Sequence, residues 1–147
     1  NTLRTDFSDG LDGVSWAGSG CSYAQATDAA VLSGDDSPAL VQDEAMDLSG
    51  AEELKVAFRY LPRDVVEGDE IVVELSDGTA WAPILTLRRG AGFDDGDFFD
   101  GSTDYGYVRV RADTVASPAD ARLRIRVLSS SSDATVSVKE LGIFVRD

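Results

Sequence analysis

Residues 121–127, Ala-Arg-Leu-Arg-Ile-Arg-Val, alternate strictly between an apolar side chain and arginine. Successive side chains of a strand point to opposite faces, so this run suits a half-buried β-strand and scatters its apolar groups around a helix. The same period recurs along the chain. Leu54, Val56, Phe58 and Tyr60 alternate with Lys55, Ala57 and Arg59, and Ile71, Val73 and Leu75 form a second set. Trp81, Pro83, Leu85 and Leu87 form a third, and Val108 and Val110 alternate with Tyr107, Arg109 and Arg111. Shorter strands are expected over 13–18, 22–27 and 39–42. No window of helical length carries an apolar stripe, although 49–53 and 117–120 suit single helical turns. Ser76, Asp77 and Gly78 supply hairpin-turn chemistry between two strong strands. The predicted fold is therefore all-β: one antiparallel β-sandwich of eight to ten strands with Greek-key connections, spanning 1–147 as a single domain. Its core is expected to hold Val56, Phe58, Ile71, Val73, Leu85, Leu87, Val108, Val110, Leu123, Ile125, Val127 and Val136. Trp81 falls in phase with Leu85 and Leu87 and is expected in the core as well.

The last strand breaks its own period. Val136 and Val138 share one parity, and Leu141, Ile143 and Val145 take the other. A β-bulge at Lys139–Glu140 accounts for the slip and would re-aim one side chain there.

Composition narrows the chemistry. The chain has 147 residues and a formal net charge of −14, and its only lysines are Lys55 and Lys139. Such a charge repels nucleic acid and anionic membranes. No apolar run approaches the roughly 20 residues that span a bilayer. With no histidine, Ser-His-Asp and Cys-His catalysis and the usual zinc sites are excluded. Cys21 is the single cysteine, so no internal disulfide forms, and the thiol reads as packed rather than nucleophilic. The chain starts at Asn1 without a leader-like segment, as expected of a processed protein or an excised piece of a larger one.

Three residue sets carry candidate chemistry. The segment 90–106 is too long for a tight turn and holds Asp94, Asp95, Asp97, Asp100 and Asp104 among Phe93, Phe98, Phe99 and Tyr105. Clustered hard oxygens suit Ca²⁺, although no glutamate closes an EF-hand pattern; the plainer reading is a solvated loop anchored by buried aromatics. Aromatics beside polar groups suit sugars, whose C–H faces stack while their hydroxyls seek partners. Tyr107, in phase with Arg109 and Arg111, is the best exposed ring on a strand, and Phe98 the best in the loop. Finally, Arg109 and Arg111 on one strand and Arg122, Arg124 and Arg126 on another, with Lys55, Arg59 and Arg88 adding to the set, would bind uronate or sulfate if the strands share a sheet. The plainer reading of these arginines is cross-strand pairing with Asp and Glu. The ligand-binding set is thus Tyr107, Arg109, Arg111, Arg122, Arg124 and Phe98, with the strand face favoured over the loop.

The order of several segments resembles the galactose-binding-like jelly rolls, a group that holds many carbohydrate-binding modules and MAM-like adhesion domains. The matching pieces are Asp-Phe-Ser-Asp-Gly at 6–10 with Trp16 downstream, the segment 46–54 leading into a strand, the segment 73–81, and the closing strand pair within 121–145. The resemblance implies a jelly roll and a structural Ca²⁺ shared by N-terminal acids and an acid on the last strand. Asp6, Asp9 and Glu140 hold those places, Glu140 standing where the pattern usually has Asp. Asp94, Asp95 and Asp97 are the alternative ligand set. The expected function is a non-catalytic carbohydrate-binding module of a secreted polysaccharide-active enzyme, monomeric within its larger protein. Its partner would be a polysaccharide or oligosaccharide. The rival is a calcium-stabilised structural or adhesive β-sandwich of a surface protein. A small hydrolase or lyase would need two close carboxylates in a deep cleft.

Overall fold

The computed structural model of the chain describes residues 2–5, 16–24, 27–34, 37–91, 96–98, 101–116 and 118–147. The strands are β1 (Thr2–Thr5), β2 (Trp16–Ser19), β3 (Cys21–Ala24), β4 (Ala29–Ser33), β5 (Ala39–Gln42), β6 (Glu53–Arg63), β7 (Glu70–Ser76), β8 (Trp81–Arg88), β9 (Asp104–Arg111), β10 (Arg122–Leu128) and β11 (Thr135–Arg146). Single 3₁₀ turns cover Ala112–Thr114 and Pro118–Asp120, the second where a helical turn is expected. The segment 49–53 forms a turn and enters β6 directly.

All pairings are antiparallel, in two sheets. The six-stranded sheet runs β3-β4-β11-β6-β9, with β1 also on β11, and the five-stranded sheet runs β2-β5-β10-β7-β8. This is the antiparallel β-sandwich that the alternation predicts, with the jelly-roll class that the resemblance implies. The β7–β8 hairpin closes where Ser76, Asp77 and Gly78 place it. The Asp77 carboxylate accepts the amides of Thr79 and Ala80, each at 3.0 Å, and Gly78 takes a φ of +94°.

The phase slip in the last strand is a real bulge. Lys139 pairs with Arg59 while Gly142 pairs with Ala57, so the register shifts between them, and Glu140 sits at a φ of +52°. The shift divides the labour of β11. Residues 135–138 pair with β4, residues 141–144 pair with β1, and β6 spans both halves.

The core follows the predicted parity. Val56, Phe58, Ile71, Val73, Leu123, Ile125, Val127 and Val136 are all buried between the sheets. Leu85, Leu87, Val108 and Val110 are only partly buried, because β8 and β9 are the outer strands of their sheets and cover the core from one side. Trp81 departs from its expected place. Val73 faces Leu85 but Glu74 faces Pro83, so Ile84 is an extra residue in β8. This second bulge turns Trp81 and Pro83 to the outer face of the five-stranded sheet.

Candidate functional site

Each sheet presents an outer face, and the strands sort the candidate residues between them. Tyr107, Arg109 and Arg111 lie on β9, in the six-stranded sheet, whereas Arg122 and Arg124 lie on β10, in the five-stranded sheet. The two arginine sets therefore occupy opposite sides of the sandwich and do not form one surface, which corrects the single strand face expected from sequence. Phe98 is also corrected. It is 4% exposed, and its ring meets Tyr60 edge-on at 5.8 Å between centroids, so it offers no face to a ligand. The described part of its loop is tied to the end of β8. The Asp97 amide donates to the Arg88 carbonyl at 2.8 Å, and the Arg88 amide donates to the Asp97 carboxylate at 2.9 Å. Gly96 sits so close that a Cβ there would lie 2.4 Å from the Gly90 nitrogen. Asp6, Asp9, Asp94, Asp95, Asp100, Phe93 and Phe99 lie outside the described residues.

On the outer face of the six-stranded sheet, cross-strand rows build the surface. Tyr105, Arg59 and Lys139 form one row across β9, β6 and β11; Tyr107, Ala57 and Gly142 form the next. Arg109, Lys55 and Phe144 follow, then Arg111, Glu53 and Arg146. Tyr105 is 68% exposed and Tyr107 55% exposed, the large aromatics most open to solvent among the described residues. Beside Tyr107 the row continues through Ala57 and the buried Gly142, which the Phe144 ring covers so closely that a Cβ there would meet it at 2.9 Å. The Arg59 guanidinium lies 5.5 Å from the Tyr105 ring centroid, holding that ring by a cation–π contact. Of Tyr105, Arg59 and Lys139, Tyr105 belongs to the aromatics that the sequence offers a sugar and Arg59 to its arginine set, whereas Lys139 carries no such signal in the sequence. Tyr105 also shares parity with Tyr107 and Arg109.

Glu53 anchors one end of this face. Its carboxylate accepts a hydrogen bond from Arg109 Nε and lies 3.5 Å from Arg146 and 3.8 Å from Lys55. The Arg109 hydrogen bond, opposed by desolvation and helped by the charges of Arg109, Arg146 and Lys55, holds the Glu53 carboxyl below its ordinary range. A depressed folded-state pKa means that the contribution to stability is present above the unfolded carboxylate value near ~4.3 and lost as pH falls through the folded value. Glu53→Gln should therefore flatten the acid limb of stability below about pH 4, read as melting midpoint against pH; an unchanged limb would remove Glu53 from the acid transition. The depressed value also opposes a general-acid role, which needs a raised one.

The outer face of the five-stranded sheet is organised around Glu74, which is 4% exposed. Arg124 reaches its Oε1 at 3.0 Å and Arg126 at 2.9 Å. The Arg124 guanidinium also lies 4.2 Å from the centroid of the Trp81 ring. These arginines thus follow the cross-strand pairing expected as their plainer reading. At the end of the same face a cleft of about 350 Å³ is lined by Trp81, Arg122, Asp120, Thr79 and Ser76.

Two of the six proposed calcium ligands can be placed, and both have other partners. Glu140 is ion-paired to Arg59 at 3.2 Å, and Asp97 holds the Arg88 amide. Among the described residues no group of three or more Asp, Glu, Cys or His side chains could hold a metal, and the other four of the six lie outside them. Thr5, the last residue of β1, pairs with Leu141, one residue from Glu140. Burial pushes the Cys21 thiol up to about 11, so it is protonated at neutral pH and not a nucleophile.

No protein-family model matches the chain, and no curated protein matches it. Solved structures do. The carbohydrate-binding module CBM27-1 of Caldicellulosiruptor saccharolyticus, in complex with mannohexaose, is similar at a TM-score of 0.64 and 16% identity, covering 99% of this chain and 97% of that one. A cleaved adhesin domain of Lys-gingipain from Porphyromonas gingivalis gives 0.63 at 13% identity, covering 96% and 97%. The module TmCBM61, in complex with β-1,4-galactotriose, gives 0.58 at 14% identity, covering 98% and 100%. The chain thus has the jelly-roll fold shared by carbohydrate-binding modules and adhesin domains.

Proposed function

We propose that the chain is a non-catalytic carbohydrate-binding module of a secreted polysaccharide-active enzyme, and that it holds glycan on the outer face of the six-stranded sheet. The observation that carries this reading is the pair of exposed rings, Tyr105 and Tyr107, two residues apart on one strand and set beside cations and small residues. A strand orders its side chains before binding, so stacking there costs little further entropy. The same fold holds mannohexaose and galactotriose in the modules named above, which supports the reading. Absence of histidine and a protonated Cys21 leave no nucleophile–base pair of the usual kinds. Affinity electrophoresis and calorimetry against a panel of neutral and acidic polysaccharides test it; silence across the panel at millimolar concentration would overturn it. That result would favour an adhesive domain, the reading that the Lys-gingipain similarity supports.

Calcium belongs to the same proposal. In a site built from Asp6, Asp9 and Glu140 the second carboxylate oxygen of Glu140 would serve while Oε1 holds Arg59, and in one built from Asp94, Asp95 and Asp97 the second oxygen of Asp97 would serve while Oδ2 holds the Arg88 amide. Calcium at about one hundred times its Kd should stabilise the fold by about 2.7 kcal/mol. Equal melting midpoints in EDTA and in millimolar calcium would rule the ion out.

A further inference from the structure

The outer face of the six-stranded sheet is cationic on a strongly acidic protein. Lys55, Arg59 and Arg63 from β6, Arg109 and Arg111 from β9, and Lys139 and Arg146 from β11 all share the outward parity. Those seven are more than half of the 13 cations in the chain; of the described residues, the strands set Glu53 and Glu140 among them, and the adjoining turns bring Glu52 to Arg146 and Asp113 to Arg111, against 27 acids overall. The acids instead crowd the turns and loops. The long-range field of a chain at −14 repels anions, but at physiological salt it decays over about 8 Å, so a bound anion responds to the charges it touches.

One point of the face is shaped to take such an anion. Beside Arg59 and Lys139 lies a pocket of about 70 Å³, lined also by Thr27, Thr103 and Ser137 and by the apolar Ala29, Tyr60 and Leu61. It is far smaller than the roughly 300 Å³ or more that encloses a whole small ligand, so it suits a substituent and not a sugar ring. Lys139 has no carboxylate within ion-pair reach among the described residues. Arg59 gives one terminal nitrogen to Glu140, and its side chain remains 31% exposed. A guanidinium has five N–H donors, so Arg59 retains capacity for a second carboxylate. The Tyr105 ring stands against the same guanidinium, so a sugar stacked there brings its substituents to this pocket.

We infer that the ligand of this face is an anionic polysaccharide bearing uronate residues, one of whose carboxylates seats between Arg59 and Lys139 while neighbouring rings stack on Tyr105 and Tyr107. The inference rests on the glycan-binding reading above and names its substrate class. Charge-assisted hydrogen bonds from a planar guanidinium match a carboxylate, and the ammonium of Lys139 adds a compact charge beside it.

The test compares one polymer in two charge states. Polygalacturonate and its carboxyl-reduced, neutral counterpart are titrated into the intact chain at 50 mM and 500 mM salt, beside dextran sulfate and neutral galactan. Polygalacturonate should bind at least about tenfold tighter than the reduced polymer, and high salt should erase most of the difference. Lys139→Ala should remove about tenfold of the polygalacturonate affinity, leave binding of the reduced polymer unchanged, and leave the melting midpoint unchanged. Equal, salt-independent affinity for both forms would overturn the acidic class while leaving the module a glycan binder. Tighter binding of dextran sulfate than of polygalacturonate would overturn the carboxylate assignment. No binding of any polymer would overturn the glycan-binding reading itself.

Discussion

Phe58→Ala should destabilise the chain by about 3–5 kcal/mol, the range for removing a large aromatic from a packed core. Phe58 is 2% exposed, lies 5.8 Å from the Tyr60 ring, and covers Gly106 on the neighbouring strand so closely that a Cβ there would meet its ring at 2.3 Å. Tyr60 in turn meets Phe98, so the cavity would open at the end of a series of three packed rings. For a domain of this length each kcal/mol moves the midpoint by about 2–4 °C, so a fall of roughly 10 °C is expected. Gly106→Ala attacks the same contact from the other side and should cost about 1–3 kcal/mol by overpacking. Urea midpoints should fall with little change in slope. Near-wild-type stability of Phe58→Ala would refute the register of β6, since a one-residue slip exchanges its faces.

What was legible in the sequence follows from which signals are local. Strand parity is local, so Phe58, Ile125 and Val136 could be assigned to the core from alternation alone. The bulge in β11 was visible because apolar residues change parity across it, from Val138 to Leu141. The bulge in β8 was hidden because the extra residue, Ile84, is itself apolar, and a run with apolar residues on both parities shows no slip. That is why Trp81 was placed inside when it faces out against Arg124. Sheet membership is not local at all. Whether Arg109 and Arg124 share a surface depends on β9 pairing with β6 and β10 with β7, contacts far apart in sequence, and the alternation of each strand is indifferent to them. Phe98 lies in a loop with no period to read, where only packing against Tyr60 decides that it is covered.

The separation of the two faces makes the ligand site decidable by two substitutions. Tyr107→Ala should weaken glycan binding by about 30-fold or more, the loss expected when a central aromatic anchor worth about 2 kcal/mol is removed. Stability should scarcely change, because the ring is 55% exposed and stands on the outward face of β9, away from the core. Arg124→Ala should do the reverse. It leaves Glu74 buried with Arg126 alone and frees one face of Trp81, so stability should fall by about 1–3 kcal/mol. Glycan affinity should hold, since Arg124 lies on the opposite side of the sandwich. Lost affinity in Arg124→Ala beside full affinity in Tyr107→Ala would move the site to the cleft where Trp81, Arg122 and Asp120 meet. The exposed tyrosines are favoured over that cleft because a ring must offer an open face to stack on a sugar: Tyr105 and Tyr107 are 68% and 55% exposed, whereas Trp81 is half-buried against the Arg124 guanidinium.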